Sequence, residues 1–139
     1  MEITPEREQQ IHKRLLEANP YPRMMGFEID LLGKGFARLG VNVRNDLLQL
    51  QGIMHGGAIA SLIDTAVAIA IASDSNAADR FTTVEMKINY LAPIRKGRVR
   101  ADARLIRNGR RIIVAECDVY DSEDKLAAKG LLTYIRLSE

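Results

Sequence analysis

Residues 56–72 read Gly-Gly-Ala-Ile-Ala-Ser-Leu-Ile-Asp-Thr-Ala-Val-Ala-Ile-Ala-Ile-Ala, a nearly continuous apolar run with one carboxylate, Asp64, near its middle. A helix that is apolar on almost every side has to be surrounded by protein. A curved antiparallel sheet meets part of that demand, and a second subunit is expected to cover what one sheet leaves open. The small residues Ala58, Ala60, Ala66, Ala68 and Ala70 are expected to let backbones approach closely there. Asp64 adds a second constraint. An ionised carboxylate in such a setting must be paired, hydrogen-bonded or protonated, so the chain holds either a partner for it or a chemical use for it.

The flanking pattern supplies the sheet. Thr4-Pro5 predicts a helix start, with Thr4 as N-cap and Pro5 at the first helical position. Ile11, Leu15 and Ala18 mark one face of a helix over 5–18, which Asn19-Pro20-Tyr21-Pro22 ends. Alternation in Phe27-Ile29-Leu31 and in Ala37-Leu39-Val41-Val43, with Gly33-Lys34-Gly35 between, predicts two strands. An irregular loop over 44–55 leads into the apolar helix, expected over 56–73. Four further strands are predicted over 81–92, 98–107, 111–120 and 126–137. Asn108-Gly109 marks a two-residue hairpin turn, and Asp121-Ser122-Glu123-Asp124 marks another turn. The fold class is therefore α+β: a long central helix wrapped by a curved antiparallel sheet of five to six strands, plus an N-terminal helix. One domain spans 1–139, divided into the N-terminal helix (1–20) and the core (26–139).

Bulk composition narrows the function classes. Hydrophobic content of 47% with 27% charged residues describes a globular protein. A net charge of +2 carries no strong field for nucleic acid or a membrane surface, so neither is expected as a partner. The apolar run is short for a membrane span and is interrupted by a charge. One cysteine, Cys117, excludes an intrachain disulfide, and two distant histidines make a zinc site unexpected. Neither a metal nor a cofactor is expected. The acidic N-terminus Met1-Glu2-Ile3-Thr4-Pro5-Glu6 is unlike a signal peptide, and a cytoplasmic location is expected.

The stretch Gly52-Ile53-Met54-His55-Gly56-Gly57-Ala58, continuing through Leu62-Ile63-Asp64-Thr65-Ala66, resembles the hotdog-fold acyl-CoA thioesterases of the PaaI/4HBT type. So does Thr83-Val84-Glu85-Met86-Lys87-Ile88-Asn89-Tyr90-Leu91-Ala92-Pro93. His-Gly-Gly alone is a weak signal. Its combination with an acid nine residues later and the Asn-Tyr-Leu-Ala-Pro strand is more specific. The resemblance implies hydrolysis of an acyl-CoA thioester to free acid and coenzyme A by a homodimer, with a dimer of dimers in many relatives.

That chemistry needs a donor for the developing oxyanion, an activated water or carboxylate nucleophile, and a grip on the thiol carrier. Backbone N–H groups at a helix start suit the oxyanion, because the dipole adds to the hydrogen bond. By resemblance the Gly56 amide is that donor, with Gly57 beside it. The competing reading is that the glycine pair only shapes the turn into the helix. Asp64 is the general base or nucleophile; the bland alternative is a buried Asp satisfied by hydroxyls. Gln49 aligns with a family Asn or Gln that orients water or substrate, with Gln51 as its rival. His55 either polarises the thioester carbonyl or caps the helix. Thr83 resembles a family Ser/Thr that positions the water, against simple strand propensity.

Arg95 and Lys96, and Asn108 with Arg110 and Arg111, are candidates for the coenzyme A phosphates, since the planar guanidinium fork suits phosphate. Gly56 and Asp64 are eight residues apart, about 12 Å along one helix. One thioester carbon cannot touch both, so each site is expected to draw Gly56 from one chain and Asp64 from another. The alternative function is a non-catalytic acyl-CoA binding or sensing protein of the same fold.

Overall fold

The computed structural model describes residues 2–137. Helix α1 spans Pro5–Ile11, and the Thr4 hydroxyl accepts from the Arg7 N–H at 3.1 Å, as its N-cap position predicts. The chain then widens through a π-helical turn over His12–Glu17, closed by the Ala18 N–H donating to the Lys13 carbonyl at 2.8 Å. The wider turn rotates the apolar face. Ile11 and Leu16 are buried, whereas Ala18 is exposed.

A one-turn helix α2, Pro20–Met25, follows where the sequence reads as a stop. Pro20 and Pro22 both fall in its first turn, where a backbone N–H has no intrahelical acceptor, so neither proline costs a hydrogen bond. Gly26, at φ 78°, ends α2 in the left-handed region that favours glycine.

Six strands follow the predicted pattern: β1 (Glu28–Gly33), β2 (Phe36–Asn42), β3 (Arg80–Tyr90), β4 (Arg98–Asn108), β5 (Ile112–Tyr120) and β6 (Leu126–Leu137). They form one antiparallel sheet in the order β1-β2-β4-β5-β6-β3. The Asn108-Gly109 hairpin exists, but its turn lies two residues further on. Asn108 pairs with Ile113 inside the ladder, and the Gly109 N–H donates to the Ile112 carbonyl at 3.0 Å, leaving Arg110-Arg111 at the tip. Neither Asn108 nor Gly109 takes the positive φ that a primed Asn-Gly turn requires.

The long helix α3, Gly56–Ser73, packs on one face of this sheet, chiefly against β2, β4 and β5. Leu62, Ile63, Val67, Ile69 and Ile71 are fully buried, each worth roughly 1.5–3 kcal/mol of apolar transfer. Gly130 of β6 lies beneath Ile63; a Cβ there would come within 3.2 Å of the Ile63 Cγ2, so the missing side chain admits the helix. Ala58, Ala66 and Ala70 face this sheet and are buried within the protomer, contrary to the expectation that they meet a second copy. Their spacing puts them on the same stripe as Leu62. The uncovered stripe is instead Gly57, Ala60, Ser61, Asp64, Thr65 and Ala68, exposed or half-buried, with Asp64 meeting β3 and Ser61 meeting Tyr21 of α2.

On the outer face Asp102 and Asp118 lie directly opposite each other across β4 and β5. Two like charges in that position repel. Arg38 on Asp102, at 2.7 Å, and Arg104 and Lys129 on Asp118, each at 2.8 Å, offset the repulsion.

Cys117 of β5 is fully buried among the core side chains. Burial, then the charges of Asp118 and Asp102, push its thiol far above the ordinary range. An unfolded thiol ionises near about 8.5. The folded pKa is the higher of the two, so the stability held by the neutral thiol is complete below pH ~8.5 and declines above it, by about 1.4 kcal/mol per pH unit. Urea midpoints are therefore expected to fall more steeply between pH 8.5 and 10 in the wild type than in Cys117→Ala. Parallel slopes would refute this.

Candidate active site

The loop before α3 is tied to the β3–β4 loop and to its own 3-10 turn at Asn45–Leu47. The Met54 N–H donates to the Ile94 carbonyl and the His55 N–H to the Leu47 carbonyl, both at 2.7 Å. His55 then serves as N-cap: its Nδ1 accepts from the Gly57 N–H at 2.8 Å. That bond places the proton of the neutral ring on Nε2, which faces outward as a donor. It also occupies the Gly57 N–H, while the Gly57 carbonyl accepts from Ser61 at 2.8 Å. A Cβ on Gly57 would meet the His55 ring at 3.0 Å, so this glycine is explained by the cap.

Gly56 is not explained in that way. Its φ lies outside the left-handed region, and a Cβ would make ordinary contact with the Tyr90 ring at 3.4–3.5 Å. Among the described residues its N–H donates to no acceptor, as expected of the first orphan donors of a helix. Its carbonyl accepts from the Tyr90 hydroxyl at 2.9 Å, which fixes the orientation of this peptide. Gly56, Tyr90, Gln49, Met54, Ile59 and Ile94 line a cavity of about 310 Å³ at this end of the helix. Arg95 and Lys96 are exposed just beyond Ile94.

Gln49 is half-buried at this cavity; Gln51 is exposed and outside it. The two carboxamides are joined. Gln49 Nε2 donates to Gln51 Oε1 at 2.9 Å, and the Gln51 N–H donates to Gln49 Oε1. Gln51 thus holds Gln49 rather than replacing it.

Asp64 lies two turns along α3 and faces the start of β3. Its Oδ1 accepts from the Thr83 hydroxyl at 2.8 Å and from the Tyr134 hydroxyl at 2.6 Å. Tyr134 also reaches the Asp64 carbonyl at 2.9 Å. Thr83 and Tyr134 are direct partners across β3 and β6, so both side chains leave the sheet on the same face and converge on one oxygen. Among the described residues nothing donates to Oδ2.

Tyr134 is buried, and burial followed by the charge of Asp64 pushes its phenol upward, so it remains a donor at any working pH. Phe81 packs on its ring, with centroids 6.0 Å apart. Sequence reasoning did not find Tyr134. The available signal was a tyrosine on the inward side of an alternating strand, which needs a hydroxyl partner when buried.

Asn108, Arg110 and Arg111 lie at the far end of α3 from Gly56. The Asn108 Nδ2 donates to the Asp74 carbonyl at 3.0 Å and its Oδ1 accepts from Arg136, so its carboxamide staples the hairpin to the helix end. Arg110 and Arg111 are exposed at the hairpin tip. In a single protomer the candidates form three groups along about 27 Å of helix. Gly56, Gln49, His55, Arg95 and Lys96 stand at one end, Asp64 and Thr83 in the middle, and Asn108, Arg110 and Arg111 at the other. Among the described residues no three His, Cys, Asp or Glu side chains converge as metal ligands.

A six-stranded antiparallel sheet carrying a central acid-bearing helix defines a hotdog protein. The family described as the thioesterase superfamily matches residues 51–128. YigI of Salmonella typhimurium, a medium/long-chain acyl-CoA thioesterase, is 28% identical over 84% of this chain and 84% of its own length. The structure of the conserved protein PA5202 from Pseudomonas aeruginosa, 36% identical, superposes with a TM-score of 0.82 over 86% of this chain and 94% of that one. The thioesterase HI1161 from Haemophilus influenzae, 26% identical, gives 0.85 over 99% and 93%. The chain belongs to the thioesterase superfamily, and thioester hydrolysis is its reaction class.

Proposed function

We propose that the protein hydrolyses acyl-CoA thioesters in a homodimer whose two sites each combine Gly56 of one chain with Asp64 of the other. The observation that supports this most directly is the arrangement at Asp64: two hydroxyls hold one carboxylate oxygen, and among the described residues nothing donates to the other. Oδ2 is then the oxygen that acts, taking a proton from water or attacking the thioester carbon itself. The Gly56 N–H, aided by the dipole of an 18-residue helix, receives the carbonyl oxygen as it becomes an oxyanion. His55 Nε2–H and the amide of Gln49 stand at the same helix end to hold the carbonyl and the water. Water adds to the acyl carbon, the C–S bond breaks, and the acid and thiol leave.

The sheet edge supports the pairing. β3 is an 11-residue edge strand, and Val84 (57% exposed), Met86 and Leu131 (49% exposed) lie uncovered along this margin. A long edge strand with unpaired backbone groups is a template for another strand. The opposite edge, β1, is shorter, at 6 residues. If β3 pairs antiparallel with its own copy about a two-fold axis near Met86 and Lys87, Thr83 comes close to Tyr90 of the partner subunit. Because Asp64 is held by Thr83 and Gly56 by Tyr90, the same operation brings acid and amide together. The pair is the minimal active unit, and a dimer of dimers repeats it.

Gly56→Ala tests the amide assignment. The fold should survive, since the Cβ has room and φ is unstrained. The added methyl occupies the approach of the substrate carbonyl, and a displacement of about 1 Å costs up to ~10²-fold in rate. Thiol release from a panel of acyl-CoAs should therefore drop in kcat while the melting temperature holds. An unchanged kcat would return Gly56 to a turn-shaping role.

A further inference from the structure

We infer that a second, arginine-lined pocket, between α1 and the start of β3, is a phosphomonoester site, and that in the acyl-CoA reading above it takes the 3′-phosphate end of the carrier. The pocket encloses about 150 Å³ and is lined by Arg7, Arg14 and Arg80 over an apolar floor that includes Ile11, Leu15 and Phe81.

The three guanidiniums differ from the arginines of the outer sheet face and of the hairpin base. Arg38, Arg98, Arg104 and Arg136 each rest on a carboxylate. Arg7 instead donates to the Ala72 carbonyl at 2.8 Å and to Gln10 at 2.6 Å, Arg14 to the Ala77 carbonyl at 2.8 Å, and Arg80 to the Ala78 carbonyl at 3.0 Å. Carbonyls orient these side chains without neutralising them. The one carboxylate at the pocket, Asp79, already accepts from Arg136 at 3.0 Å and from the Asn76 N–H at 3.1 Å.

Three like charges gathered around a single carboxylate repel one another, and burial, then the proximity of Arg14, make the Arg7 cation harder to hold than Asp79 makes it easier. Among the described residues the buried Arg7 Nε–H has no acceptor, a cost that an oxyanion would remove. Planar forks sharing one pocket wall match a tetrahedral dianion better than a single carboxylate charge. The apolar floor suits the sugar or base attached to such a phosphate. Arg80 lies three residues before Thr83 on β3, about 10 Å away. Phe81 on the pocket wall packs on Tyr134, which holds Asp64, so the pocket adjoins the reacting centre.

The test uses the full-length protein and adenosine 3′,5′-bisphosphate as probe, followed calorimetrically, with inorganic phosphate and octanoate as separate arms. The bisphosphate should bind the wild type, and Arg7→Gln/Arg14→Gln should weaken it at least tenfold. Arg80→Gln, whose side chain bonds only to its immediate neighbours, gives the same test where loss of Arg7 unseats α1. In turnover, these variants should raise KM for an acyl-CoA with kcat held, and leave KM unchanged for the same acyl group on N-acetylcysteamine, which carries no phosphate. Bisphosphate binding that is absent, or equal in wild type and variants, overturns the proposal, as does octanoate binding in place of phosphate. Calorimetry needs no turnover, so failure here and failure of the thioesterase reading are separable.

Discussion

Asp64→Asn is expected to lower kcat on any acyl-CoA the protein hydrolyses by about 10²–10⁴-fold, the usual worth of a positioned base, with KM little changed. The substitution suits the question because it leaves the surroundings intact. The amide oxygen still accepts from Thr83 and Tyr134 at the place where Oδ1 does now, so the helix keeps its bonds to β3 and β6. Only the free oxygen is replaced, by an NH₂ that can neither take a proton from water nor attack a carbonyl. The melting temperature should stay close to that of the wild type, and full turnover in Asp64→Asn would reduce the acid to a structural role. A single turnover of the wild type in ¹⁸O water then separates the two uses of Oδ2. A general base puts the label directly into the product acid. A nucleophile whose anhydride water opens at the Asp64 carbonyl leaves the label in the Asp64 side chain and the first product acid unlabelled.

The strands were legible because each has period two and ends in turn residues, and α3 was legible because its apolar residues run without a break. What the sequence concealed is non-local. Local pattern cannot say that β6 lies between β5 and β3, and it is this order that sets Tyr134 opposite Thr83 and hence on Asp64. The same blindness applies to Arg7, Arg14 and Arg80, which are remote in the chain and meet only because α1 packs beside the end of α3. Two local errors have local causes. Prolines at 20 and 22 read as a stop although both fit a helix's first turn, and Asn108-Gly109 reads as the turn although the hairpin closes two residues further on. At the candidate site, the glycine pair was read as one feature. The structure separates it into a residue required by the His55 cap and a residue whose small size the fold does not require.

That separation supplies the strongest test of the shared site. Asp64→Asn and Gly56→Ala should each give a nearly inactive homodimer. Co-expressed, the two chains assemble at random, and about half of the dimers are hybrids. In a hybrid, one site takes Gly56 from the Asn variant and Asp64 from the Ala variant, so it is intact; the other site carries both lesions. Activity should therefore return to about a quarter of the wild-type value per chain, far above the sum of the parents. A site contained in one chain predicts no gain at all, since no single polypeptide in the mixture holds both wild-type residues. The same mixture reports on the β3 edge. Replacing the half-exposed Met86 by Lys in both chains sets like charges near the proposed two-fold axis, and complementation should vanish together with the dimer mass. Complementation that persists in the Met86→Lys pair would place the interface on another face, with Gly56 and Asp64 meeting by a different symmetry operation.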